Sequence, residues 1–134
     1  STPLYSSAAS DVYKRQGKKM NELTLEQIIS LATNTANIVM SAHANKQCLK
    51  REINAEDILE TLLKGSIIEQ YPTDFPFPSC LMLGFTSKHK PMHVCCAIGD
   101  NKLWIITAYY PTEEKWESDY KTRKAVKNND LFIL

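Results

Sequence analysis

Apolar residues at Leu25, Ile28, Ile29 and Ala32 recur at i, i+3, i+4 and i+7, the spacing that lines one face of a helix, so 23–32 is predicted helical. Thr24 stands where an N-cap is needed, and Gln27 three residues later completes a capping-box pattern. The short apolar run NIVMS (37–41) reads as a strand, and 42–51 as a second helix with a mostly polar surface. Asn54 ahead of AEDILETLLK predicts a third helix over 55–64. Its buried stripe would be Ala55, Ile58, Leu59 and Leu62, and Gly65 would stop it.

From residue 66 the hydrophobic period changes to two. SIIEQY (66–71), CLMLGF (80–85), PMHVCCAI (91–98) and LWIITAYY (103–110) read as strands. Pro72, Pro76 and Pro78 keep the stretch between the first two irregular. Short connections favour antiparallel neighbours, and the charged stretch after Pro111 reads as a short helical or extended tail. The expected fold is α+β, with N-terminal helices packed on a roughly four-stranded antiparallel sheet. In the last hairpin Gly99, Asp100 and Asn101 form a three-residue loop in this reading. That register sets His93 across from Thr107 and diagonal to Tyr109, with Met92, Val94 and Cys96 facing Ala108, Ile106 and Trp104. One side of the hairpin is then apolar, and the other gathers an imidazole, a hydroxyl and a phenol.

The chain has 134 residues, one domain's worth, with ordinary globular values of 43% hydrophobic and 23% charged residues. No run approaches the roughly 18 apolar residues of a membrane-spanning helix. Residues 1–19 lack apolar periodicity and the pattern of a signal peptide. Their SSAASDVYKRQ resembles translated sequencing-adapter read-through, so they are read as a non-native or disordered leader to a single domain over 20–134. That reading changes the charge. The whole chain is +1, but residues 20–134 carry 12 basic against 14 acidic residues, or −2. A strong nonspecific nucleic-acid binder shows a basic excess, so any RNA contact has to come from a local patch. Cys48, Cys80, Cys95 and Cys96 are irregularly spaced, and adjacent Cys95 and Cys96 point to opposite faces of a strand. Reduced thiols and a cytoplasmic location are expected.

His93 and Tyr109 suit proton transfer, because an imidazole titrates near neutrality and a phenol donates a proton or a hydrogen bond. The bland alternative is a half-buried, hydrogen-bonded strand histidine. Arg51, Lys115, Lys121, Arg123 and Lys124 are the basic residues near that face. Mixed with Trp116 and Tyr120, those of the tail can hold phosphate and stack a base. Glu117 and Asp119 among them fit an ordinary solvated tail as well. His43 and Arg51, eight apart, fall on one side of the second helix. A zinc site needs about four ligands; His93 and Cys95 share a face but Cys96 does not, so no metal and no cofactor is expected.

From about 38 to 124 the motifs His43-Ala44, Arg51-Glu52-Ile53, IIEQYPTD (67–74), PFPSCLMLG (76–84), PMHV (91–94), IITAYYP (105–111) and Trp116 arrive in an order that resembles a small bacterial family known mainly as a domain of unknown function. That family is similar to RelE-like and MqsR-like toxins, α+β ribonucleases neutralised by a partner antitoxin, often of the zinc-finger type. The resemblance implies a RelE-like domain and a metal-independent endoribonuclease in which a ribose 2′-OH attacks its own 3′-phosphate. It implies catalytic roles for His93, Tyr109, Arg51 and His43, and RNA binding by Arg123, Trp116, Lys121 and Lys124. The glycine usual after the arginine is Glu52 here, and the −2 charge departs from the basic surface of such enzymes. The alternatives are a non-catalytic protein- or nucleic-acid-binding module on the same scaffold and, third, a metal-dependent regulator built on His93 and Cys95.

Overall fold

The computed structural model describes residues 21–125; the leader read over 1–19 lies outside them. In chain order the elements are α1 (Leu25–Ala32), a 3-10 turn (Thr35–Asn37), β1 (Ile38–Met40), α2 (Ala42–Lys50), α3 (Ala55–Lys64), β2 (Ser66–Tyr71), β3 (Ser79–Phe85), β4 (Pro91–Gly99) and β5 (Lys102–Tyr109). The fold is α+β. Its sheet has five strands in the order β1-β5-β4-β3-β2.

The helices start where their side chains can satisfy the free N–H groups of a first turn. Thr24 and Gln27 make the reciprocal capping box of α1, Ser41 caps α2, and Asn54 accepts from the Asp57 N–H to cap α3. The stripe of α3 differs from the expected one: Ile58, Thr61 and Leu62 are buried, while Ala55 is exposed. Thr61 is inside because α3 lies against β3 at Gly84, where the Thr61 side chain takes the space a Cβ would fill. Gly65 ends α3 through close approach. Its φ of −78° is ordinary, but a Cβ there would stand 2.5 Å from the Thr61 carbonyl and 2.6 Å from that of Leu83.

Two corrections concern the sheet. It is mixed, because β1 adds a fifth strand parallel to β5, pairing Ile38, Val39 and Met40 with Leu103, Trp104 and Ile105. A pairing across more than sixty residues leaves no local signal. The hairpin register also differs. The turn has two residues, Asp100 and Asn101, both left-handed at φ 55° and 58°, the backbone that closes a hairpin in line with strand twist. A bulge at Ile106 then shifts the phase of β5, so His93 pairs directly with Tyr109 and Cys95 with Thr107. Leu103, Ile105 and Ala108 face the helices, Ile106 is exposed, and Trp104 turns away to meet Phe77.

Both faces of the sheet are covered. The main core packs α1, α2 and α3 against Met82, Met92, Val94, Cys96 and their neighbours. On the opposite face, residues 111–125 run across the strands as an irregular strap. There Leu81, Cys95 and Trp116 form a second small cluster. Every residue of β4 from Met92 to Ala97 is therefore buried, which is why this strand reads as a nearly continuous apolar run.

Candidate functional site

β5 is paired on its outer edge only as far as Ile105, because β1 is three residues long. Beyond that point α2 flanks the strand. Its C-terminal Arg51 supplies what a neighbouring strand would have supplied, donating from Nη1 to the Ala108 carbonyl at 2.8 Å and to Thr107 Oγ1 at 3.2 Å. Glu52, at φ 57°, turns the chain sharply after Arg51. Glycine would adopt this left-handed conformation without strain.

Where β5 leaves the sheet and the strap begins, a cleft of about 400 Å³ opens, lined by Arg51, Tyr109, Thr112, Lys115, Trp116 and Arg123 together with Tyr110 and Pro111. Three cations and two phenols thus meet from two distant parts of the chain, the end of α2 and the stretch 109–123. Their charges are not equal in effect. Arg123 is held by both oxygens of Glu69, at 2.8 and 3.0 Å, and lies 4.6 Å above the Trp116 ring. Glu69 also accepts from the Tyr71 hydroxyl. Arg123 is therefore largely neutralised, and the same guanidinium holds the Glu69 carboxyl below its usual pKa. Arg51 bonds only neutral oxygens, and Lys115 has no carboxylate partner among the described residues. Those two carry the free positive charge of the cleft.

Beneath the cleft lies His93, with no exposed surface. Its Nε2 is 2.7 Å from the Tyr120 carbonyl and its Nδ1 is 3.1 Å from the Tyr109 hydroxyl, while Trp116 packs edge-on against the ring at 4.5 Å. Burial lowers its pKa below the ordinary 6.5, so the ring is neutral at pH 7. A carbonyl can only accept, so Nε2 carries the proton and Nδ1 is an acceptor. The Tyr109 O–H must then donate to Nδ1, which leaves the phenol's lone pairs for the cleft. Burial raises the pKa of Tyr109, so it stays a phenol.

The remaining sequence candidates fall in different places. His43 is exposed on α2 and ends a hydrogen-bonded series: Arg51 donates to Thr107, Thr107 to Gln47 at 3.1 Å, and Gln47 to the His43 ring at 3.0 Å. His43 and Arg51 do share a side of α2, but His43 does not line the cleft. Lys121 lines a separate depression beside Lys64 and Gly65, and Lys124 is exposed. Trp116 is only 2% exposed; its ring is spent on His93 and Arg123 rather than offered to a base. Cys95 lies beside the histidine on the buried face, its thiol pushed up to about 11 chiefly by burial. Among the described residues no three His, Cys, Asp or Glu side chains cluster as metal ligands would. Sequence reasoning missed the Glu69–Tyr71 latch, whose only local signal is the i, i+2 spacing that sets both on one face of β2.

Residues 40–110, over half of the chain, match the family described as Domain of unknown function (DUF4258). The matched span carries His43, Arg51, Glu69, His93 and Tyr109, while the strap lies beyond it. No curated protein and no solved structure matches the chain.

Proposed function

The chain belongs to the DUF4258 family, and we propose that it is a metal-independent endoribonuclease of the RelE-like toxin type, acting in the cytoplasm under the control of a partner antitoxin. The observation that carries this reading is that Arg51 and Lys115, with the Glu69-paired Arg123, line one cleft together with Tyr109. A phosphodiester is the ligand such a site suits, being an anion with oxygens on several sides. The ribose 2′-oxygen attacks phosphorus as its proton passes to the Tyr109 oxygen, and the Tyr109 proton passes to His93 Nδ1. The resulting imidazolium donates from both nitrogens, to Tyr109 and to the Tyr120 carbonyl. The P–O5′ bond breaks and its oxygen takes a proton from a water; the hydroxide left takes the Tyr109 proton as His93 Nδ1 returns its own to Tyr109, and the products are a 2′,3′-cyclic phosphate and a 5′-hydroxyl. Arg51 and Lys115 offset charge on the non-bridging oxygens. His93 acts through Tyr109 and is a positioning and proton-holding residue, and His43 acts on Arg51 through Gln47 and Thr107.

The test is induced expression of the full chain with growth and total RNA followed, beside cleavage of RNA by purified protein. Expected are growth arrest relieved by the antitoxin, and fragments ending in cyclic phosphate. Tyr109→Phe lowers the rate by about 10²–10⁴, the usual contribution of acid–base groups, and Arg51→Ala also lowers it. Intact RNA in the presence of folded, soluble wild-type protein would refute the enzyme. The second reading, a non-catalytic binding module, would then stand. It has one observation in its favour, an apolar groove of about 270 Å³ between β1 and α3 lined by Ile38, Met40, Ile58, Leu59 and Leu62.

A further inference from the structure

A second concavity, of about 380 Å³, adjoins the first and shares Arg51 and Tyr110 with it. Its far wall is the β3–β4 turn. The Thr86 hydroxyl accepts the N–H groups of Lys88 and Lys90 at 3.2 and 3.1 Å, and Thr86 and Lys90 are joined by a backbone bond of 2.9 Å. These bonds, with His89 left-handed at φ 63°, close the turn tightly and present Ser87, Lys88 and Lys90 to the concavity. Lys90 Nζ sits 4.3 Å from the centre of the Tyr110 ring, and the Tyr110 hydroxyl donates to the Glu52 carbonyl. Tyr110 is thus a fixed divider between two basic hollows, with Arg51 at their junction.

We infer that these are two phosphate subsites, and that Ser87, Lys88 and Lys90 bind the phosphodiester next to the one held at Tyr109. The inference rests on the reading of the first cleft as an RNA site. The second hollow also holds Glu52 and Asp57, so with the shared Arg51 three cations face two carboxylates there, while the first has the free charges of Arg51 and Lys115 beside the Glu69-paired Arg123. A net single positive charge suits a monoanionic internal phosphodiester. The carboxylates disfavour a dianionic terminal phosphate. The ligand is therefore an internal stretch of a strand that crosses Tyr110, and a dinucleotide fills only the first hollow.

Binding to the full chain would be followed by fluorescence anisotropy across a sodium chloride series. The probes are a labelled single strand of a dozen nucleotides and a labelled dinucleoside monophosphate, both 2′-O-methylated so that neither can supply the nucleophile. Each phosphate contact with a single strand contributes about 0.7 to the slope of log K against log salt, so Lys88→Gln/Lys90→Gln should flatten the long strand's slope by about that amount. Dinucleotide binding should be unchanged, Lys88→Arg/Lys90→Arg should restore the slope, and Arg51→Ala should weaken both probes. An unchanged slope in the Gln variant, or an equal loss for both probes, overturns the second subsite while wild-type binding keeps the first reading alive. Failure of wild type to bind either probe overturns both.

Discussion

Trp116→Ala separates the two interactions that could hold the strap over His93. Trp116 is 2% exposed and packs edge-on to the histidine ring. Truncating so buried an aromatic costs about 3–5 kcal/mol. The Arg123–Glu69 pair has good bidentate geometry, but the Arg123 side chain is 57% exposed. Solvent screening leaves such a pair about 0.2–1 kcal/mol, and stacking over the indole adds about 0.5–1 kcal/mol. Packing should therefore outweigh charge by a factor of about 1.5 or more. Urea unfolding of wild type, Trp116→Ala and Arg123→Ala, at a common m-value, measures the difference. If the strap opens alone, the loss appears instead as faster hydrogen exchange at the Glu117 and Lys124 amides, which bond the Thr122 and Lys115 carbonyls. Water admitted by Trp116→Ala should also raise the pKa of His93 back toward 6.5, because burial is what lowers it. A Trp116→Ala loss no larger than that of Arg123→Ala, or an unmoved His93 titration by NMR, refutes the reasoning.

Glu52→Gly should stabilise the protein by about 0.5–1 kcal/mol in chemical denaturation, since relief of the left-handed backbone exceeds glycine's added chain entropy. Gly84→Ala should cost about 1–3 kcal/mol by overpacking against Thr61, whose Cβ and Cγ2 would lie 2.8 Å from the new methyl. Thr61→Ala should recover part of that loss in a double-mutant cycle. Stability should fall as pH drops below about 6.5, because the unfolded chain protonates its histidine first while buried His93 resists until its own lower pKa. Thermal unfolding across pH 7.5 to 5.5 should show this decline in wild type and a shallower one in His93→Gln. Glu69, also lowered in the fold, adds its loss in a separate window below its ordinary 4.5.

Local chemistry made much of this molecule legible in advance. Caps at Thr24 and Asn54, the stop at Gly65 and the change of period at residue 66 each depend on neighbours a few positions away, so helix and strand positions follow from them. The alternation along β4 likewise separates His93 and Cys95 from Cys96 without reference to anything distant. What the sequence could not decide involves partners far along the chain. The β1–β5 pairing joins segments more than sixty residues apart, and the bulge at Ile106 added to the two-residue Asp100–Asn101 turn sets His93 opposite Tyr109. Trp116, exposed in a reading of its charged neighbours, is buried because the strap folds back over the sheet. Arg51, Lys115 and Arg123 look alike as letters. Only the tertiary structure assigns Glu69 to one of them and leaves the other two to charge the cleft, because neutralisation depends on distances of a few ångströms that no local pattern records.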